Sequence, residues 1–124
     1  MKVLAWMVVI GVAAVAFGAD ATYTGYLSDK MCAGTGKGAM DGADLKTNPG
    51  DHTVACEVAC AKSGYGLMMK DGGTYKFVPF SGKGDALASS LLKSTTRTKG
   101  MYVEVTGTMK GGAIDVSGMK EASM

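Results

Sequence analysis

Four side chains of the types that bind soft metal ions stand out in this sequence: Cys32, His52, Cys56 and Cys60. Thiolate and imidazole are the usual ligands of Zn²⁺, and four of them close a tetrahedral site, while the same sulfur-rich set also suits Cu(I). Eight residues of helix rise about 12 Å, so we expect His52 to precede the helix that carries Cys56 and Cys60. Cys32 would then come from a separate element and complete a Zn²⁺ or Cu(I) site.

The odd number of cysteines allows other chemistry. In an oxidising compartment cysteines tend to pair, but two cysteines four residues apart on one helix seldom have the geometry to bond each other. The disulfide alternative therefore joins Cys32 to Cys56 or Cys60, which would contribute about 3 kcal/mol by closing a long loop. The remaining cysteine would be free or would bond another protein. A thiol-redox protein using Cys56 and Cys60 is a further alternative, although thioredoxin-like sites have two residues between the cysteines and this pair has three.

The carboxylates give no convincing acid–base pair, so we identify no catalytic residue and expect a binding protein rather than an enzyme. Asp29, three residues before Cys32, follows a predicted strand. It could cap a turn or orient a metal ligand from behind, and we favour the turn. Asp41, Asp44 and Asp51 fall in or just after a glycine-rich segment, residues 33–50, where we expect a flexible loop with solvated side chains.

The elements that must position these groups can be read from the hydrophobic pattern. Alternating apolar residues predict an opening strand over about 22–28 and two hairpins, over 65–80 and 102–117, with turns at 71–73 and 110–112. Helices are predicted over 53–63, with Thr53 as N-cap, and over 85–94. The prediction is a mainly β fold with two short helices, in which the Cys-bearing helix is inserted between strands 1 and 2. Without that helix the order matches an OB-like five-stranded barrel.

The N-terminus predicts export. Lys2 precedes an apolar run from Val3 to Phe17, and Ala19-Asp20-Ala21 fits a cleavage site, so residues 1–21 are predicted to be a signal peptide and residues 22–124 one small domain. The run is shorter than the roughly 20 residues that a membrane span needs. We therefore expect a periplasmic or extracellular protein with no stable membrane span after cleavage.

Charge limits the partners. With 13 Lys and Arg against 11 Asp and Glu, the net charge is +2. Such a balance is ordinary for a soluble domain and argues against a nucleic-acid surface. We expect the partner to be a metal ion or an unknown protein.

Motif order and spacing also resemble those of a known family. The motifs are Gly25-x-x-x-Asp29-x-x-Cys32, His52-x₃-Cys56-x₃-Cys60-x₃-Gly64 and Gly100-x-x-Val103-x-Val105-x-Gly107. The pattern resembles a family of small exported bacterial proteins of unknown function, whose histidine often follows the first cysteine closely. Here residues 33–51 separate the two. The resemblance implies an exported small domain in which the Cys/His cluster acts as a unit, and it implies no reaction.

Overall fold

The computed structural model describes residues 20–124; residues 1–19, which hold most of the predicted signal peptide, lie outside the described part. Five strands are present: β1 (Ala21–Asp29), β2 (Tyr65–Asp71), β3 (Thr74–Gly82), β4 (Tyr102–Lys110) and β5 (Ala113–Glu121). Three α-helices, α1 (Lys30–Thr35), α2 (Val54–Ala59) and α3 (Gly84–Ser94), and two 3₁₀ turns, Pro49–Asp51 and Ala61–Ser63, connect them. In residues 20–124 no helix has the length and apolar character needed to cross a membrane.

The strands form a ring in the order β1-β2-β3-β5-β4, with β4 returning to pair with β1. All neighbours are antiparallel except β3 and β5, which run parallel from the pair Phe80 and Ile114. The prediction of a mainly β fold with five strands is therefore confirmed. The pairing of Asp29 with Tyr65 at the end of β1 fixes where the chain leaves the sheet towards the cysteine cluster.

Both predicted hairpins are present, with turns at the predicted glycine pairs. The expectation of only two helices was wrong, because a further short helix, α1, follows β1 directly. The Cys-bearing helix is also shorter than predicted. It ends at Ala59, and Cys60 begins a separate 3₁₀ turn that Gly64 terminates with a φ of 86°.

Two apolar clusters flank the β1–β2 pair. The main core fills the ring with residues such as Leu27, Val103 and Ile114, and α3 packs against it. The smaller cluster contains the three cysteines and lies against Met68 of β2, with Leu45 and Ala43 of the glycine-rich segment buried over it. The segment predicted to be a flexible loop thus folds as a cover over the cysteines. A backbone hydrogen bond within this segment stabilises the cover, since Gly38 N donates to Ala43 O at 2.9 Å.

Candidate metal centre

Cys32 is positioned by the end of β1 and the start of α1. Asp29 is the N-cap of α1, and its Oδ2 accepts a hydrogen bond from Cys32 N at 2.9 Å. The helix stops after little more than one turn at Gly36, whose φ of 79° suits glycine and sends the chain back over the site. Cys32 is 1% exposed as a result.

Cys56 is positioned by the start of α2, where Thr53 acts as the predicted N-cap. Its Oγ1 accepts a hydrogen bond from Cys56 N at 3.1 Å. His52 lies immediately before the cap, as expected from the helical rise, and is 1% exposed, while Cys56 is fully buried. The cap therefore holds an imidazole and a thiol at the entrance of one helix.

Cys32, His52 and Cys56 offer ligand atoms that all lie within 4.8 Å of one another. The two Sγ atoms are 4.0 Å apart, about twice the 2.03–2.05 Å of a disulfide bond. In residues 20–124 all three cysteines are free thiols, so neither disulfide considered from the sequence is formed. Two sulfurs bound to one tetrahedral Zn²⁺ at about 2.3 Å lie about 3.8 Å apart. The observed separation is close to that value, so this group could hold a metal ion.

Two consecutive amides of the cover point at the two sulfurs. Ala39 N donates to Cys32 Sγ at 3.2 Å, and Met40 N donates to Cys56 Sγ at 3.4 Å. Hydrogen bonds of this kind favour the thiolate form, which is the form that binds a metal. Burial nevertheless raises the pKa of Cys32 in the metal-free protein.

His52 is held by a carboxylate at each ring nitrogen. Nε2 lies 2.9 Å from Asp29 Oδ1, and Nδ1 lies 2.8 Å from Asp41 Oδ2. Burial lowers the pKa of His52, but the two carboxylates outweigh burial and the net shift is upward. Each ring nitrogen can donate to its carboxylate only when it carries a proton, so this geometry favours the imidazolium form.

A metal ion must displace one of these protons. Nε2 faces Asp29, whose own ligand atom lies within 4.8 Å of those of Cys32 and Cys60. We expect an ion to bind at Nε2, because Nδ1–H can then remain bonded to Asp41 in the carboxylate–histidine–metal arrangement that fixes the orientation of metal-binding imidazoles.

Asp41 anchors this ring firmly. Its Oδ2 also accepts from Thr53 N at 2.7 Å, and its Oδ1 accepts from Ala43 N at 2.9 Å. Burial raises the pKa of Asp41, but these amides and His52 lower it to about 2. The expectation that Asp41 is solvated was wrong, because its side chain is only 11% exposed. Gly38 makes room for it, since a Cβ there would lie 1.7 Å from Asp41 Oδ1.

Asp29 combines the two roles that the sequence left open. It caps α1 through Oδ2 and holds His52 through Oδ1. Burial raises its pKa, but the bonds from His52 and from the Cys32 amide outweigh burial, so the pKa is lowered and the group stays a carboxylate.

Cys60 joins the cluster from the other side. Its ligand atom lies within 4.8 Å of those of Asp29 and Cys32. Cys32 therefore belongs to two groups, one with His52 and Cys56 and one with Asp29 and Cys60. A single ion bound by all four residues named from the sequence stays a prediction.

Glu57 is the member of this neighbourhood that the sequence analysis missed. It follows Cys56 on α2, is fully buried, and neither carboxyl oxygen has a hydrogen-bond partner in residues 20–124. Burial raises its pKa well above the usual range, and the charges of Asp29, Cys56 and Asp41 raise it further. Its position beside Cys56 was the one signal in the sequence. The helix is too short for periodicity to show which of its faces points inward.

Surface cavities on the described part of the chain lie elsewhere. Two of them, of about 290 and 320 Å³, share Tyr102 and Met124 in their linings, and neither is lined by a cysteine or a histidine. The sequence matches no protein-family model and no curated protein, and no solved structure matches the fold. Conclusions about function therefore depend on the geometry of the centre.

Proposed function

We propose that this chain is a non-enzymatic binding module in which Cys32, His52 and Cys56 hold a soft or borderline metal ion, Zn²⁺ or Cu(I). The observation that carries the proposal is the sulfur pair, 4.0 Å apart, with each sulfur accepting a backbone N–H from the same cover segment. Backbone N–H donors stabilise negative charge on both sulfurs, and a bound cation would compensate that charge in a buried site.

The charges around the cluster support a cation. Three carboxyl groups, those of Asp29, Asp41 and Glu57, lie near one another, and within residues 20–124 their one ion-pair partner is His52. Buried charges are expected to be paired or to coordinate metals. A divalent ion would offset the thiolates and relieve the cost of the third carboxyl group.

Burial supports binding rather than catalysis. The three ligand residues are at most 1% exposed. Catalytic zinc sites keep a position open for water or substrate. With ligand residues this deeply buried, we expect no substrate from solution to reach an ion held there.

We further propose that the module is exported to the periplasm or outside the cell and is an OB-like member of the small exported family it resembles. The order of the strands around α3 supports the OB-like assignment. The motif pattern, with Asp29 and the cysteines in one centre, supports the family assignment.

Equilibrium metal titration tests the proposal. Reduced, metal-free protein is titrated with Zn²⁺ against a chromophoric chelator, and with Cu(I) against a Cu(I) chelator. We expect tight binding of at least one ion by the wild type and at least 100-fold weaker binding by Cys56→Ser and His52→Gln. Val58→Ser, on the same helix but 42% exposed, is the matched control and should bind as the wild type does. Equal affinities for all four proteins would overturn the proposal.

A reversible Cys32–Cys56 disulfide is a second candidate, favoured by the 4.0 Å sulfur separation. The two thiols would lose two electrons and two protons to an oxidant such as a small disulfide compound. Cys32–Cys56 is one of the two disulfide pairings considered from the sequence, whereas the thiol-redox alternative used Cys56 and Cys60. Burial of both sulfurs disfavours exchange with a protein partner. Mass spectrometry of denatured, non-reduced protein decides between the candidates, because a loss of 2 Da without bound metal favours the disulfide.

A further inference from the structure

We propose that the centre has a second metal position, formed by Asp29, Cys32 and Cys60, and that Cys32 Sγ bridges the two ions. This inference rests on the proposed function, because the first ion is the one held by Cys32, His52 and Cys56. Its basis is the geometry of the second group, whose ligand atoms also lie within 4.8 Å of one another and whose three residues are all buried.

Shared thiolates suit this arrangement chemically. A thiolate sulfur has several lone pairs and can bind two soft ions at once, and a carboxylate plus sulfur set is acceptable to Zn²⁺. Cys32 is the residue common to both groups, so one side chain from α1 ties together ligands from α2 and from the 3₁₀ turn that follows it.

The first ion makes Asp29 available for the second. In the metal-free protein Asp29 Oδ1 is bonded to His52 Nε2 at 2.9 Å. Once Nε2 binds a metal it has no proton to donate, and Oδ1 is left without that partner in a buried setting. A second cation beside Asp29 and Cys60 would satisfy the freed oxygen, while Asp29 Oδ2 continues to cap α1.

Glu57 is the independent observation that points to this position. Its two oxygens are buried and have no partner in residues 20–124. Tyr65, whose backbone pairs with Asp29 across β1 and β2, donates its hydroxyl to the backbone carbonyl of Glu57 at 2.9 Å and so holds α2 over this end of the sheet. Among the charged groups, Asp29 has the largest effect on Glu57, which agrees with this placement.

A carboxylate at Glu57 would compensate the charge of a second ion bound nearby. With only the first ion bound, the groups left on this side are Asp29, Cys60 and Glu57, all of them anionic or neutral. A buried carboxylate without a hydrogen bond or a cation is costly. A second ion accounts for all three groups together.

Native mass spectrometry of reduced protein loaded with Zn²⁺ and then exchanged into metal-free buffer tests the stoichiometry. Two bound ions support the inference. One bound ion overturns it and leaves the proposed function standing. No bound Zn²⁺ also overturns the inference, and together with a negative Cu(I) titration it overturns the proposed function itself. The same measurement with Cd²⁺ is expected to give the same count.

Variants locate the second position. Cys60→Ser and the nearly isosteric Glu57→Gln should each retain one ion and lose the other. Ala61→Ser, an exposed neighbour of Cys60, is the matched control and should keep two. Two ions in both Cys60→Ser and Glu57→Gln would show that the second position lies elsewhere and would overturn the assignment.

Cadmium-113 NMR of the doubly loaded protein tests the bridge. We expect two resonances split by mutual coupling through the shared Cys32 sulfur. Two unsplit resonances would overturn the sharing of Cys32. The readout is spectroscopic and does not depend on any activity of the protein.

Discussion

Replacement of Asp41 by asparagine should weaken both the metal-free fold and metal binding. Asp41 accepts bonds from His52 Nδ1, Thr53 N and Ala43 N, and an asparagine has one carbonyl oxygen with which to replace two carboxylate oxygens. The pKa of Asp41 is about 2, against 3.8 for an ordinary aspartate. At about 1.4 kcal/mol for each pKa unit, the fold gains about 2 kcal/mol from the ionised carboxylate.

We therefore expect Asp41→Asn to lower the free energy of unfolding of the metal-free protein by about 2 kcal/mol, measured by urea denaturation at neutral pH. Loss of the group that orients a metal-binding histidine typically costs 10- to 100-fold in affinity, so Zn²⁺ binding should weaken by about that factor in a chelator competition.

Asp51→Asn is the matched control for this experiment. Asp51 lies just before His52 in the chain, but its side chain is 66% exposed and its nearest cation, Lys99 Nζ, is 3.9 Å away. Such a surface pair contributes little, so stability and affinity should stay at wild-type values. If Asp41→Asn behaved like Asp51→Asn, our account of how His52 is oriented would be refuted.

Three further predictions concern the metal-free protein and the fold. Glu57→Met should raise the free energy of unfolding of the metal-free protein by about 1–3 kcal/mol, because an apolar side chain replaces a buried carboxyl group without partners. A lower free energy of unfolding in urea would contradict this. The free energy of unfolding should fall as pH rises above about 4.3 and again above about 6.5. Folding raises the pKa of Glu57 and of His52, so each group keeps its proton to higher pH in the folded state than in the unfolded one. A free energy of unfolding in urea that rises between pH 5 and 8 would refute this. Gly25→Ala should destabilise the β1–β2 pairing, because a Cβ there would lie 2.4 Å from Met68 O; an unchanged melting temperature would contradict it.

The sequence was sufficient for the parts of the fold that local pattern controls. Alternation with glycine turns located both hairpins, and the cap rule located Thr53 and placed His52 before it. The sequence analysis missed α1, because the helix has only six residues and ends in Gly34 and Thr35. Such a short segment shows no helical periodicity of apolar residues. The prediction also extended α2 too far, since Cys60 leaves the helix for a 3₁₀ turn.

In the candidate site too, the sequence predicted what local pattern controls and missed what depends on long-range packing. Residue type and spacing pointed to the three cysteines and His52, and to Asp29 as a cap and as a group that orients a ligand. Asp41 and Glu57 were out of reach, because their importance comes from folding of the glycine-rich segment over the site and from the inward face of α2. Both effects depend on long-range packing, which composition and periodicity do not encode.

X-ray absorption at the zinc edge of the reduced, Zn²⁺-loaded protein tests the central claim most directly, because it reports the ligand atoms themselves. We predict a mixed first shell with sulfur at about 2.3 Å and nitrogen or oxygen at about 2.0–2.1 Å, and a loss of part of the sulfur contribution in Cys56→Ser. A shell of nitrogen and oxygen alone, with no sulfur in the wild type, would contradict the account of a buried metal centre on Cys32, His52 and Cys56.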